Sequence, residues 1–310
     1  MYSQDFFKNP VKLNRPLTAQ EREAQLPQTQ EQPGFEASYP HYQLSLTGMN
    51  STYLETVDRN YPVRGEGTAL CLFGITLVVM TIIVVFTPND DGQLSSLEFI
   101  INMLIVCTIG LIPMLWLLLK EAFRYTHYPV RLNRKTGRVY VWREGEVLSV
   151  PWREVFFYTR EFRDSGLKCW DVRGLVLGED RQTVVDSFAL SSYHSSDRMD
   201  LQLHFEYFRR YMEYGPEELY PHFKVALPVA VRKETWWEGC MRLLLNIQGS
   251  PLMQILLFPV FFLPASLGRF LVMRTSKIPQ WPQWVEDECA IEPGDPYVRE
   301  PGYVAPKTSA

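Results

Sequence analysis

The chain has 310 residues, a formal net charge of −4 and five cysteines, and 46% of its residues are hydrophobic. This charge balance argues against nucleic-acid binding, because counterion release from a polyphosphate requires many clustered cations. The cysteines include no C-x-x-C pair, so neither a disulfide framework nor a zinc site is expected. We accordingly predict no metal and no cofactor.

Residues 1–49 are polar and rich in proline and glutamine, and they show little apolar periodicity. Such a composition buries too little apolar surface to offset the entropy that is lost when a chain is ordered. We therefore interpret these residues as a flexible polar N-terminal segment.

Residues 50–66 have a different pattern, in which apolar side chains recur at helical spacing between Tyr53 and Tyr61. Acidic side chains fall on the other positions of the same helical projection. This spacing predicts a short amphipathic lead-in helix that lies at a membrane interface.

Two uncharged apolar runs occupy residues 67–119. The first, Thr68 to Phe86, would reach roughly 28 Å as a helix, close to the ~30 Å hydrocarbon thickness of a bilayer. The second, Phe99 to Leu119, is similarly long, and Pro88 with an Asn-Asp-Asp-Gly turn separates the two runs. We predict a transmembrane helical hairpin rather than a buried helical pair, since uncharged runs of this length are rare in soluble cores.

The positive charges predict the orientation of this hairpin. The loop between its helices has no Lys or Arg, whereas six follow the second helix by residue 138 and two closely precede the first. The positive-inside rule therefore places both termini in the cytoplasm. Within this basic group, Lys120, Arg124 and Arg131 are candidates for contact with anionic headgroups.

The period of the apolar residues changes to two after the hairpin. Alternating residues flank the turn at Arg134–Gly137, which predicts a β-hairpin, and four further strand candidates follow. An amphipathic helix with an apolar stripe from Leu201 to Met212 comes next. A meander closed by one helix predicts a cytoplasmic pleckstrin-homology-like antiparallel β domain over residues 120–227, with a generic α+β sandwich as the alternative. The fold class is thus an α+β membrane protein.

Residues 228–277 are predicted to associate with the membrane. They open with an amphipathic helix, Val229–Gln248, on which Trp236 and Trp237 are suited to anchoring at headgroup depth. The apolar segment that follows, from residue 251 to residue 273, contains two prolines and Arg269. Because a central arginine costs about 3 kcal/mol in a bilayer, we favour re-entrant or in-plane helices over a third span.

The C-terminal tail, residues 278–310, contains several prolines and tryptophans. We predict that it is extended and lies on the domain or on the membrane surface.

Sequence patterns that carry catalysis are missing from the chain. Its five histidines show no H-E-x-x-H or related spacing, and neither a G-x-S-x-G elbow nor a glycine-rich phosphate loop occurs. We therefore name no catalytic residue and expect a protein that is not an enzyme.

Small or polar side chains in the two apolar helices suggest a surface for a partner helix. Gly74 and Thr81 in the first helix and Cys107 and Gly110 in the second would let another helix approach closely. That helix could come from a second copy of the chain or from another membrane protein. The alternative is that these residues pack the hairpin against itself.

Five stretches of the sequence together carry a resemblance to a known family. They are Tyr125–Pro129, Arg131–Gly137, Leu148–Trp152, Met273–Pro279 and Ile291–Tyr297. They resemble an uncharacterised family of proteobacterial membrane proteins whose genes accompany type VI secretion effectors, including pore-forming toxins of the VasX-like kind.

The resemblance implies an immunity protein of the bacterial inner membrane, which binds a membrane-active effector and neutralises it. A membrane-bound adaptor or chaperone that loads the effector in the producing cell is the alternative. A third hypothesis is an accessory protein of a lipid-binding enzyme. The resemblance assigns no catalytic residue.

Overall fold

The computed structural model of the protein describes residues 11–29, 40–88, 96–164, 167–246 and 262–306. These residues form an α+β structure with two antiparallel sheets and two long apolar helices. The chain divides into two compact units. The β unit comprises residues 1–61, 127–232 and 278–310, and the helical unit comprises residues 62–126 and 233–277.

The β unit contains the strands β1 (Arg15–Pro16), β2 (Leu46–Met49), β3 (Tyr53–Thr56), β4 (Val130–Asn133), β5 (Arg138–Arg143), β6 (Glu146–Pro151), β7 (Phe156–Asp164), β8 (Leu167–Leu177) and β9 (Thr183–Ser195). Five strands form one sheet in the order β2-β3-β4-β5-β6, and four form the other in the order β1-β9-β8-β7. Strands β3 and β4 pair directly, although the two apolar helices lie between them in the sequence.

The helices, in chain order, are α1 (Ala19–Glu23), α2 (Glu66–Phe86), α3 (Leu97–Glu121), α4 (Arg198–Tyr214), α5 (Trp236–Asn246), α6 (Leu263–Thr275) and α7 (Gln283–Glu288). Asp197 caps the N-terminus of helix α4, and its carboxylate accepts a hydrogen bond from the Met199 amide at 2.8 Å. Its apolar stripe enters the core of the β unit, where Phe205 packs against Trp152 and Phe157. Aromatic packing thus joins α4 to the sheet residues.

The N-terminal part of the chain is ordered by distant partners, so the prediction of a flexible segment is wrong for residues 11–29 and 40–49. Strand β1 pairs with β9, and Leu17 and Leu26 are buried. The Tyr42 hydroxyl accepts hydrogen bonds from the backbone N–H groups of Lys224 and Val225 at 3.0 and 2.8 Å. The composition of a segment does not reveal contacts with residues that are distant in the sequence, so it could not predict this order. The rest of the predicted segment lies outside the described residues.

The predicted lead-in helix is also wrong, because Tyr53–Thr56 is the strand β3. Leu54 and Val57 are fully buried in the β unit. Their spacing fits a helix face as well as a strand, and the pairing with β2 and β4 decides between the two. Strand β4 begins at Val130, so no local sequence window contains β3 together with both of its partners.

The helical unit contains the two apolar helices, α2 and α3, which are long and apolar enough to cross a membrane. Only 17% of the most apolar window of α2 and 6% of that of α3 are buried. The core helix of a soluble protein would be mostly buried. Exposed side chains such as Phe73, Ile109 and Trp116 therefore form a surface that suits a hydrocarbon solvent.

The amphipathic helix predicted from Val229 is shorter in the structure, since α5 begins at Trp236. Of the apolar segment that follows it, the structure describes only the part from residue 262, which forms α6. Arg269 on α6 is buried, and its guanidinium pairs with Glu234 at 2.8 Å. It also donates to the carbonyl oxygens of Pro62 and Arg64. This arginine is thus compensated within the protein.

The C-terminal tail packs on the β unit and contains the helix α7. Val285 and Cys289 are buried beside Tyr140. The indole N–H of Trp142 donates to the Gln280 carbonyl at 2.9 Å. The prediction of an extended tail is therefore wrong for α7, because the apolar face of this short helix packs against β5.

Candidate functional site

The predicted partner residue Gly74 lies inside the hairpin. A Cβ atom at this position would overlap the sulfur of Met114 on α3, so the glycine allows α2 and α3 to approach each other. This corrects its assignment as a partner contact, in favour of the packing alternative. Gly110 has a different environment, because a Cβ atom there would meet nothing within 4 Å. Its face remains accessible.

Thr81 and Cys107 also lie where α2 and α3 meet. Together with Val85 they line a cavity of about 10 Å³, which is too small to hold more than one water molecule. The Thr81 hydroxyl donates to the Leu77 carbonyl at 2.9 Å, within its own helix. Among the four predicted partner residues, Gly110 therefore has the most open surroundings.

Four of the five predicted headgroup contacts belong to the helical unit. The Lys120 ammonium lies 3.5 Å from the ring centroid of Trp116, and the side chain of Arg124 is exposed. Trp237 is 61% exposed, whereas Trp236 donates its indole N–H to Ser266 at 3.1 Å. Exposed basic and indole groups are suited to an interface between lipid and water, so these four remain predictions.

Arg131, the fifth predicted headgroup contact, is buried in the β unit, which corrects that prediction. Its guanidinium pairs with Glu55 at 2.8 Å and with Glu286 at 3.1 Å. The rings of Tyr53 and Trp281 flank it at 4.2 and 4.9 Å. Because Glu55 faces Arg131 in the register of β3 and β4, the charge is neutralised across the sheet.

A cleft of about 1060 Å³ lies in the β unit, and sequence reasoning missed it. One wall is formed by β7 from Tyr158 to Arg163, and the other by residues of the N-terminal segment between Val11 and Ala24. Trp170 and Arg198 complete the lining. These residues come from four separate parts of the sequence, so no motif could reveal the cleft.

The cleft carries more cationic than anionic side chains. Its lining includes five cations, namely Lys12, Arg15, Arg160, Arg163 and Arg198, and three carboxylates, namely Glu21, Glu23 and Glu161. Two of these carboxylates are already paired, Glu21 with Arg15 at 2.5 Å and Glu161 with Lys168 at 2.9 Å. The surface of the cleft therefore favours an anionic ligand.

A buried charge cluster holds one of these cations in place. Arg160 pairs with Asp171 at 2.9 Å, and the same carboxylate contacts Arg59 at 2.8 Å and Arg173 at 3.1 Å. Burial by itself raises the pKa of Asp171, but the three guanidinium groups outweigh it and lower the pKa to about 2. The carboxylate is thus charged at neutral pH and fixes the guanidinium of Arg160, which lines the cleft.

Among the described residues, His204 is a buried polar group that lies outside the lining of the cleft. No group of three or more His, Cys, Asp or Glu side chains among them is arranged to hold a metal ion. His204 is buried between the Ser191 hydroxyl, at 2.7 Å, and the His41 carbonyl, at 2.8 Å. Burial lowers its pKa to about 3, so the ring is neutral.

Comparison with known proteins finds a match to a protein family. The model of a family described as being of unknown function (DUF6708) matches residues 106–293, which run from the second apolar helix into the C-terminal tail. No curated protein and no solved structure matches the chain.

Proposed function

This chain belongs to the DUF6708 family, whose function is unknown, and we propose that it is a membrane-anchored binding protein. The observation that carries the proposal is the insertion of two apolar, exposed helices between the paired strands β3 and β4. A folded β unit is thereby joined to its membrane segment through two adjacent strands. Such a connection suits a protein that acts on something in or near the bilayer.

We further propose that the β unit has a pleckstrin-homology-like fold. Its strands β3 to β6 form a four-stranded meander and β7 to β9 a three-stranded one, and helix α4 follows directly. Meanders closed by one helix support this proposal, although β3 lies outside residues 120–227, the range predicted for the domain. The strands β1 and β2 are additions to it.

The proposed location is the bacterial inner membrane, with both termini in the cytoplasm. The distribution of Lys and Arg supports this orientation. Single cysteines at Thr87, just after α2, and at Arg153 in the β unit would test it in intact spheroplasts. An impermeant thiol reagent should label position 87 above the background of the unsubstituted protein. Labelling of position 153 from outside would reverse the orientation.

The proposed partner is a membrane-active type VI secretion effector, which the protein neutralises as an immunity protein. This rests on the resemblance of the sequence and on the open surroundings of Gly110, where a helix of the effector could pack closely. A protein that already resides in the membrane can meet an inserting toxin before the toxin assembles. Neither a catalytic step nor a cofactor is needed for this action.

The test is survival and membrane potential in cells that express a membrane-active effector from the same genome. Wild-type protein should protect these cells, whereas Gly110→Leu should reduce protection without reducing the amount of protein in the membrane. A second substitution, Leu115→Ala, alters another exposed position of α3 and is the matched control. If the wild-type protein protects against no such effector, the immunity proposal fails and the adaptor alternative takes its place. That alternative requires the protein in the attacking cell.

A further inference from the structure

One edge of strand β7 is only partly covered. Its other edge pairs with β8 along the whole strand. On the open edge, the Leu26 amide donates to the Phe157 carbonyl at 2.8 Å, and the Thr159 amide donates to the Ala24 carbonyl at 3.0 Å. Towards the N-terminus, the chain then leaves this edge to form α1. The cover therefore ends at Thr159.

In the part of the chain that the structure describes, the open edge of β7 beyond Thr159 has no partner strand. Alternate residues of a strand direct their N–H and C=O groups to the same edge, so Glu161 and Arg163 follow Phe157 and Thr159 on the open side. Within the described ranges, no backbone group is hydrogen-bonded to Glu161 or Arg163 on that side. An uncovered strand edge of this kind is a template for a further strand.

The cleft runs beside this edge and supplies a matching charge. In the described part of the chain, no carboxylate lies within ion-pair distance of Lys12, Arg163 or Arg198. The Arg198 guanidinium is oriented by a hydrogen bond to the Thr159 hydroxyl at 3.1 Å. Three cations therefore surround the place where the edge becomes open.

We propose that this cleft binds an extended acidic peptide segment of another protein, which adds as a strand to β7 at Glu161 and Arg163. Backbone hydrogen bonds would supply sequence-independent affinity, and carboxylates of the peptide would lie against Lys12, Arg163 and Arg198. The cleft is a second binding surface, and the inference does not depend on the proposed effector contact at Gly110.

Size and charge favour a peptide over other anions. A volume of about 1060 Å³ is far larger than one phosphate group requires, and it is comparable with the larger ligand pockets of proteins. The carboxylates Glu21, Glu23 and Glu161 would repel a continuous polyphosphate backbone. A peptide, in contrast, can carry acidic side chains next to the cations and neutral side chains next to the carboxylates. It can also form hydrogen bonds with the backbone of β7.

The test uses the full chain in detergent and fluorescence polarisation with short labelled peptides. The probe alternates valine and glutamate, and its partner alternates valine and lysine. The acidic probe should bind at least about tenfold more tightly than the basic one, and its affinity should fall with added salt. A third probe keeps the glutamates but carries N-methylated backbone amides, and it should bind about tenfold more weakly than the first.

Variants locate the binding. Arg163→Glu and Lys12→Glu should each reduce the affinity of the acidic probe about tenfold. Arg181→Glu makes the same charge change at an exposed turn outside the cleft and should leave the affinity unchanged. Hydrogen exchange should become slower at the amides of Glu161 and Arg163 when the probe is bound.

Several results would overturn the proposal. Equal binding of the acidic and basic probes would remove the charge argument, and equal binding of the N-methylated probe would remove strand addition. Failure of the acidic probe to bind at about 1 mM would exclude the cleft as a peptide site of useful affinity. An unchanged affinity in Arg163→Glu would place the binding elsewhere. None of these outcomes affects the survival test of Gly110.

Discussion

The β unit and the two apolar helices α2 and α3 place their charged and apolar groups in opposite ways. The β unit buries ionic side chains, such as Asp171 with its three arginines and Arg131 with Glu55, among aromatic rings. The helical unit exposes apolar side chains along most of α2 and α3. Contacts between residues that are distant in the sequence therefore stabilise the β unit. The apolar helices instead expose side chains that favour a hydrocarbon environment.

The largest effect should follow from breaking the ionic core of the β unit. Glu55→Ala would leave Arg131 buried with only the half-exposed Glu286 beside it, and it would also remove the hydrogen bond from Trp281. Removing one partner of a buried ion pair typically costs about 3–5 kcal/mol. The measurement is the free energy of unfolding of the detergent-solubilised protein in denaturant.

A surface pair provides the control for this substitution. Glu292→Ala removes the partner of Lys135 where both side chains are well exposed, so its effect should stay below about 1 kcal/mol. Equal effects of the two substitutions would mean that the burial of Arg131 contributes nothing. The β unit would then not differ from an ordinary charged surface.

The second effect depends on pH and also belongs to the β unit. His204 has a folded-state pKa of about 3, because burial disfavours the charged ring, against about 6.5 in an unfolded chain. Below pH 6.5 the unfolded state therefore binds more protons, and the stability contributed by the neutral ring is lost as the pH falls. The expected loss approaches about 1.4 kcal/mol per pH unit and is about 2.3 kcal/mol between pH 6.5 and pH 4.5, because the unfolded histidine is already half-protonated at pH 6.5.

The slope of stability against pH isolates this histidine. His204→Phe keeps an aromatic ring among Tyr193 and Phe208 but does not titrate. Whatever its stability at pH 7, this variant should lose less stability between pH 6.5 and pH 4.5 than the wild type does. Identical slopes would assign the acid sensitivity to other groups.

How far the sequence predicted the fold differs between the units for a physical reason. Helices α2 and α3 follow from length and apolar composition, which a local window contains. The strand β3, the ordered N-terminal segment and the burial of Arg131 depend on partners such as Val130, Val184 and Glu286, which lie far away in the chain. The cleft was missed for the same reason, since its cations become neighbours only after β7 meets the N-terminal segment.

A third, smaller effect separates structural from accessible glycines in the helical unit. Gly74→Leu should force α2 away from Met114 and destabilise the hairpin by about 1–3 kcal/mol, as overpacking does in other well-packed sites. Gly110→Leu should change stability little, because its surroundings are open. Thermal unfolding in detergent compares the two variants. An equal loss in both would show that the face around Gly110 is also packed within the protein.

The smallest effect should be found in α1, in the wall of the cleft that the N-terminal segment forms. Helix α1 begins with a capping box, in which the Thr18 hydroxyl accepts a hydrogen bond from the Glu21 amide at 3.2 Å and the Glu21 carboxylate accepts one from the Thr18 amide at 2.8 Å. Thr18→Ala removes the first of these bonds and should cost about 1 kcal/mol. Because α1 is short, we expect the loss to appear as faster hydrogen exchange in residues 19–24 only.

Peptides from α6 in the same exchange experiment are the internal control, since they belong to the helical unit and should not change. Faster exchange confined to α1 would confirm that this wall of the cleft is held by its own cap and by the pair of Arg15 with Glu21. If α1 exchanges freely already in the wild type, the N-terminal segment behaves as its polar composition predicted. The cleft would then lack a fixed wall, and a peptide strand on β7 would have to bind by the open edge alone.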